Sequence, residues 1–131
     1  HSYTGNPLGC RAALATLDIF NDDDVIANNA MLAAAMQTAV AGLDEHPHVA
    51  EVRQTGMILA IEMVREKSTR EPWPWQERRG LRVYRHALQQ GVLLRPLGNV
   101  IYFMPPYVIT AEEIGLMASA AVEGIEIAAR D

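Results

Sequence analysis

Lysine is almost absent from this sequence, and its scarcity limits the chemistry that the chain can carry out. Ten of the eleven basic residues are arginine, which leaves Lys67 as the single amine side chain. Lys67 lies in VREKSTREPWPW, a charged and proline-broken stretch that is typical of a solvated loop. A protonated ammonium in water is a poor nucleophile, so we expect Lys67 to be a surface lysine and not a catalytic residue, which leaves this chain with no catalytic amine.

Cysteine and long apolar runs are also scarce. Cys10 has no second cysteine with which to form an internal disulfide, which is compatible with a reducing cytoplasm. The most apolar stretch, residues 30–43, is shorter than the ~20 residues that span a bilayer, and no secretory signal precedes it. The net charge of −5 and the scattered arginines argue against a nucleic-acid surface. We expect a cytoplasmic protein whose partners are small molecules or other protein chains.

Histidines are few and are not spaced as metal ligands. His46 and His48 are separated by one residue in a turn, and His86 stands alone on an arginine-rich helix. A zinc site usually needs three or four converging ligands, so we predict no metal site. The sequence also contains no Ser-His-Asp order and no glycine-rich phosphate loop.

The apolar spacing predicts a single α+β domain, in which helices pack on a small, mainly antiparallel sheet. Gly56 joins two apolar runs, which form either a hairpin or one bent strand. The first helix comes before the alternating helices and strands of the domain, so its apolar face is expected to pack on residues outside that domain. The predicted helices are 7–20, 25–43, 76–90 and one that begins after Thr110, and the predicted strands are 49–56, 57–64, 92–94 and 100–104.

Arg95 is the first candidate for a binding residue. In LLRPLGNVIYFMPPY it lies between two apolar strands, where a buried guanidinium is very costly unless it is paired. Its planar fork suits the carboxylate of a ligand, held through two hydrogen bonds. An internal pair with Glu62 or another carboxylate of the chain is an equally open interpretation.

The opening stretch HSYTGNPLGC is the second candidate. The hydroxyls of Ser2, Tyr3 and Thr4 precede a helix that Asn6 caps and Pro7 begins. Hydroxyls and helix N–H groups together could hold an anion, above all a phosphate. A capped turn without a ligand is the alternative, which the residues alone favour.

Together, HSYTGNPLGCRAALA and GVLLRPLGNVIYFMPPYVIT resemble the C-terminal part of the class III, pyridoxal-phosphate-dependent aminotransferases of fold type I. The resemblance implies that residues 1–22 end a large domain and that residues 23–131 form the small C-terminal domain. It also implies a homodimer, in which Ser2 and the Tyr3 backbone contact the cofactor phosphate of the neighbouring subunit.

Within that family, the RPxG motif at Arg95 resembles the branch that serves biotin biosynthesis. Members of this branch transfer an amino group from S-adenosylmethionine to 8-amino-7-oxononanoate and form 7,8-diaminononanoate. The resemblance implies that Arg95 binds the distal carboxylate of the keto substrate. Ornithine-type members commonly carry an arginine where this sequence has Tyr102, so Tyr102 is expected to be a neutral residue that lines the same pocket.

The family's Schiff-base lysine, its aspartate on the pyridine nitrogen and its ring-stacking aromatic residue would all lie upstream of His1. The resemblance therefore implies a C-terminal fragment that is inactive alone and does not hold pyridoxal phosphate by itself. Two alternatives stay open. One is another class III aminotransferase, acting on an ornithine-like or ω-amino acid, and the other is a non-catalytic carboxylate-binding or dimerisation module.

Overall fold

The computed structural model describes residues 4–130, which form four α-helices and one sheet of four antiparallel strands. The α-helices and strands are α1 (Pro7–Asp22), α2 (Val25–Ala39), β1 (Val49–Thr55), β2 (Ile58–Met63), α3 (Arg79–Gln89), β3 (Arg95–Leu97), β4 (Val100–Phe103) and α4 (Ala111–Ala129). Short 3-10 helices cover Leu43–Glu45 and Trp75–Glu77. The predicted α+β class with a mainly antiparallel sheet is confirmed.

The strand order in the sheet is β1-β2-β4-β3. β1 and β2 form a hairpin in which Thr55 lies opposite Ile58, so the loop contains only Gly56 and Met57. Gly56 has φ +54°, a left-handed conformation that two-residue hairpin loops require at this position and that glycine adopts at no steric cost. The two apolar runs around Gly56 are therefore a hairpin and not one bent strand.

The helices cover one face of the sheet and form a single core with it. Along β2, Leu59, Ile61 and Met63 are buried while the residues between them are not, because successive side chains of a strand point to opposite faces. These side chains belong to the same cluster as Ile101 and Phe103 of β4. Each helix from α2 to α4 adds buried side chains, among them Met36, Val83, Ala87, Ile114, Ala121 and Ile125. Complete burial of one large aliphatic side chain contributes about 1.5–3 kcal/mol.

The second hairpin differs from the prediction. We predicted a strand over residues 92–94 followed by a loop that contains Arg95, but β3 begins at Arg95. The reason is the turn: Leu97 pairs with Val100, so only Gly98 and Asn99 form the loop, and Gly98 has φ +62°. Pro96 is tolerated inside β3 because β3 is an edge strand, paired on one side with β4. Arg95 is thus a strand residue with a defined face.

The structure gives α1 no buried residue. Leu14, Leu17 and Ile19 are each more than half exposed. Phe20, at the end of the helix, makes an edge-on ring contact with Tyr107, with 6.3 Å between ring centroids. Within the described residues the apolar side of α1 is left uncovered, as the sequence led us to expect. The division of the chain after residue 22 stays a prediction.

The last helix begins as its sequence predicts. The Thr110 hydroxyl accepts a hydrogen bond from the Glu113 backbone N–H, and the Glu113 carboxylate accepts one from the Thr110 backbone N–H at 2.8 Å. The N–H and hydroxyl of Thr110 lower the pKa of Glu113 below its ordinary value of 4.5. No helix in the described part of the chain is both long enough and apolar enough to span a bilayer.

Candidate functional site

A row of four residues crosses the face of the sheet that the helices leave open. Arg53 of β1 lies opposite Ala60 of β2, Ala60 lies opposite Tyr102 of β4, and Tyr102 lies opposite Arg95 of β3. Residues directly opposite each other in an antiparallel pair point to the same face. None of the four is buried. We call this surface the open face of the sheet.

The arginine at the β1 end of the row is neutralised by acidic neighbours. Arg53 donates hydrogen bonds to Glu51 at 2.6 Å and to Glu62 at 2.7 Å. Arg70 adds a second positive charge, at 3.3 Å from Glu51. The hydrogen bonds to Glu62 and then to Glu51 raise the pKa of Arg53. The charged side chains at this end of the open face are therefore paired with one another, which leaves little free charge to bind a charged ligand.

The arginine at the β3 end has a different environment. Arg95 is exposed, and no residue among 4–130 forms a hydrogen bond or ion pair with its side chain. The sequence argument took Arg95 to be buried, which is wrong, because strand alternation turns it to the open face. The internal pair with Glu62 is also wrong, because Glu62 bonds Arg53 instead. Three inter-strand spacings, about 14 Å, separate the two arginine positions along the row.

Tyr102 completes the geometry beside Arg95. It is half-buried in β4, a central strand, while Arg95 is on the edge strand next to it. A guanidinium offers a planar fork of N–H donors, and a phenol offers one further donor. Exposed Leu93 and Leu97 flank Arg95 along the chain. A cation and a hydroxyl beside apolar side chains can bind a carboxylate attached to an aliphatic chain.

The second candidate segment lies mostly beyond the described residues. Ser2 and Tyr3, the predicted phosphate contacts, are outside residues 4–130. The first turn of α1 is described, and its N–H groups are already engaged: Leu8 and Gly9 donate to the Asn6 side chain, and Cys10 donates to the Asn6 carbonyl. The predicted Asn6 cap is confirmed, and these helix N–H groups are not available to an anion while it holds. A phosphate at this segment would therefore depend on residues before α1.

Lys67 makes contacts that agree with a structural role. Its ammonium donates to the backbone carbonyls of Asp44 and His46, at the end of the first 3-10 helix. Lys67 is half-buried, whereas the sequence suggested a freely solvated side chain. Among residues 4–130, no group of three or more His, Cys, Asp and Glu side chains is placed to hold a metal ion.

Among residues 4–130 the buried arginine is Arg79, and the sequence did not predict its burial. Arg79 is 5% exposed. It donates to Glu77 and to the backbone carbonyls of Ala128 and Arg130, and its guanidinium lies 5.2 Å from the centre of the Trp73 ring. Arg79 therefore closes the C-terminal end of α4, where the last carbonyls of a helix have no partner within it. No local signal in ERRG separates Arg79 from its neighbour Arg78.

Comparisons with known proteins place this geometry in context. Residues 1–125 match the family model described as aminotransferase class-III. An adenosylmethionine-8-amino-7-oxononanoate aminotransferase of Geobacter sulfurreducens is 49% identical over 126 residues, which cover 96% of this chain and 27% of that protein. The chain thus spans little more than a quarter of that relative's length.

Two solved structures share the fold. The crystal structure of adenosylmethionine-8-amino-7-oxononanoate aminotransferase from Methanocaldococcus jannaschii has a TM-score of 0.91 at 42% identity, covering 97% of this chain and 29% of that one. A pyridoxal-phosphate-bound amine transaminase from an uncultivated Pseudomonas species has a TM-score of 0.89 at 36% identity, covering 98% of this chain and 29% of that one.

Proposed function

The chain belongs to the class-III aminotransferases, and from this premise we propose that it is the C-terminal portion of an enzyme of biotin biosynthesis. The whole enzyme transfers an amino group from S-adenosylmethionine to 8-amino-7-oxononanoate and forms 7,8-diaminononanoate. The single observation that carries the proposal is the pairing of exposed Arg95 with half-buried Tyr102 on the open face, where the described residues leave the guanidinium without a carboxylate. The relatives at 49% and 42% identity are both adenosylmethionine-8-amino-7-oxononanoate aminotransferases, which supports the same reaction for this chain.

In this proposal Arg95 binds the distal carboxylate of the keto acid through two parallel hydrogen bonds. The Tyr102 hydroxyl lies on the same side of the sheet and donates to the same carboxylate or orients it. Ala60, the next residue of the row, is small and leaves room above β2. Binding the acid at its far end fixes where the ketone lies, and such orientation lowers the barrier of the reaction. This chain therefore contributes binding and orientation of the substrate.

Pyridoxal phosphate is the cofactor in this proposal, and when bound it carries the amino group between the two substrates. The Ser2 hydroxyl and the Tyr3 backbone N–H would hold its phosphate across a homodimer interface. The engaged N–H groups of Leu8, Gly9 and Cys10 argue that the α1 terminus adds no further phosphate ligand. The uncovered side of α1 supports an assignment of residues 1–22 to the large domain, and the lone Cys10 supports a cytoplasmic location.

The test is an assay of 7,8-diaminononanoate formation by the full-length protein with several amino donors. We expect S-adenosylmethionine to support the reaction, and ornithine and ω-amino acids to fail. Turnover with ornithine or an ω-amino acid in place of S-adenosylmethionine would assign the protein to another branch of the family. Absence of any transamination by the full-length protein would favour a non-catalytic carboxylate-binding module.

The isolated chain of residues 1–131 provides a second arm. Incubated with pyridoxal phosphate and both substrates, it should form no product, because Lys67 is engaged with two carbonyls. Product formation that disappears in Lys67→Ala would contradict the proposal for this chain.

A further inference from the structure

We infer that Gly80 is a positioning residue for carboxylate recognition, because its missing side chain lets α3 pack directly on the hairpin that carries Arg95. The inference rests on the proposed function for its substrate, but the contact itself is a property of the fold. Gly80 is the second residue of α3 and is buried.

The contact leaves no room for a side chain at position 80. A Cβ atom built on Gly80 would lie 2.8 Å from the Cβ of Pro96 and closer still to the carbonyl oxygen of Gly98. Both neighbours are parts of the backbone or of a rigid ring, so neither can rotate away. Any side chain at Gly80 would have to push the hairpin away from α3.

The hairpin is held on its other sides as well. The Asn99 side chain donates to the Trp73 carbonyl at 3.1 Å, and the Asn99 carbonyl accepts from the Met63 N–H at 2.9 Å. β3 itself has only three residues and pairs with β4 alone. Gly80 thus supports β3 on the face of the sheet that α3 covers, while Asn99 anchors the turn.

Displacement at Pro96 would reach Arg95 directly. Consecutive strand residues point to opposite faces, so Pro96 faces α3 and Arg95 faces the open side. Tyr102 is in the central strand β4 and is tied to β2, so it would move less than Arg95. A shift of β3 changes the relation between the guanidinium and the phenol. A misplacement of about 1 Å can weaken a positioned interaction by up to about a hundredfold.

The experiment compares three glycine-to-alanine variants of the full-length enzyme. Gly80→Ala crowds the hairpin. Gly124→Ala crowds the contact between α4 and α3 and leaves the hairpin untouched, because its Cβ would lie 2.8 Å from Val83 Cγ1. Gly115→Ala meets no atom within 4 Å and serves as the neutral control.

We expect Gly80→Ala to raise the KM for 8-amino-7-oxononanoate by about tenfold or more, while the half-reaction with S-adenosylmethionine changes by less than about twofold. Gly124→Ala should lower the Tm without a selective change in this KM. Gly115→Ala should leave this KM unchanged and raise the Tm slightly, because alanine is more stable than glycine inside a helix. Equal effects of Gly80→Ala and Gly124→Ala on the KM would overturn the inference, since they would show a general loss of stability.

Two further measurements keep the inference testable. If Gly80→Ala does not fold, Asn99→Ala releases the same hairpin without crowding, and an unchanged KM in that variant would count against the inference. If the wild-type enzyme does not use the keto acid, the proposed function is wrong, and the inference about Gly80 is tested separately. The backbone amide chemical shifts of Arg95 then decide the matter, because they should change in Gly80→Ala and not in Gly124→Ala.

Discussion

Arg95 and Tyr102 lie directly opposite each other in the β3–β4 ladder, and both side chains stand on the face of the sheet that bears no helix. The pair exists because the hairpin loop contains only Gly98 and Asn99, which fixes the register of the two strands. A slip of one residue would turn Arg95 toward α3 and place a charge against the core. The turn chemistry thus determines where the guanidinium is presented.

Arg95→Ala in the full-length enzyme should weaken binding of 8-amino-7-oxononanoate by about ten- to a hundredfold, because a charged hydrogen-bonded contact contributes about 1.5–3 kcal/mol. The half-reaction with S-adenosylmethionine should remain within about twofold of wild type. Single-turnover kinetics of each half-reaction provide the measurement.

Arg53→Ala is the matched control for this prediction, since Arg53 occupies the same row but is already bonded to Glu51 and Glu62. It should leave binding of the keto acid unchanged. Losses of similar size in both half-reactions of Arg95→Ala would argue that Arg95 has a structural role.

Arg79→Ala should lower the free energy of unfolding of the chain by about 3 kcal/mol, because it leaves the carbonyl of Ala128 without its buried donor. Arg79→Lys should recover only part of this loss, since an ammonium cannot reproduce the planar fork. Urea denaturation monitored by circular dichroism measures both values.

The control for Arg79 is Arg85→Ala on the exposed side of the same helix, which should change the free energy of unfolding by no more than about 0.5 kcal/mol. If both variants were equally stable, Arg79 would not be the residue that closes α4.

The Glu113 carboxylate makes the free energy of unfolding depend on pH in the acidic range. Its folded pKa lies below 4.5 because Thr110 donates to the carboxylate, so the stabilisation is complete above about pH 4.5 and is lost as the pH falls through the folded pKa. Unfolding free energies measured between roughly pH 5 and pH 3 should therefore fall more steeply in wild type than in Glu113→Gln. Glu112→Gln, in the same helical turn, should retain the wild-type slope, and identical slopes in all three proteins would contradict the role of the capping box.

Residues 23–131 should fold cooperatively without α1. The shortened chain loses the contact between Phe20 and Tyr107, which contributes about 0.5–1.5 kcal/mol, and α1 has no buried residue. Thermal unfolding and amide dispersion in NMR spectra test this expectation. Removal of residues 111–131, a helix of similar length with buried Ile114 and Ile125, should abolish folding. Loss of cooperative unfolding in residues 23–131 would mean that the division after residue 22 is wrong.

Elements that depend on local chemistry were predictable from the sequence. The Asn6 cap and the capping box at Thr110 each rest on hydrogen bonds within a few residues, whereas the sequence left the segment around Gly56 open between a hairpin and one bent strand. The start of β3 differs from the prediction because the strand runs through Pro96, which an edge strand tolerates. Local signals specify helix caps more reliably than they specify where an edge strand begins.

Burial of charged side chains was not predictable in the same way. The Arg79 guanidinium is buried and donates to the carbonyl of Ala128, 49 positions further along the chain. No sequence pattern near Arg79 indicates that contact. Arg95 has strongly apolar neighbours in sequence and is nevertheless exposed, because its face is determined by pairing with β4. The roles of Ser2, Tyr3, Arg95 and Tyr102 in binding stay predictions.

The central pairing of β2 with β4 has a consequence for the order of folding. Each hairpin closes a two-residue loop, a local event that takes microseconds, whereas β2 and β4 are joined by the whole of residues 64–99, which include α3. The two halves of the open face, one with Arg53 and the other with Arg95, therefore meet only when this slow, non-local step is complete.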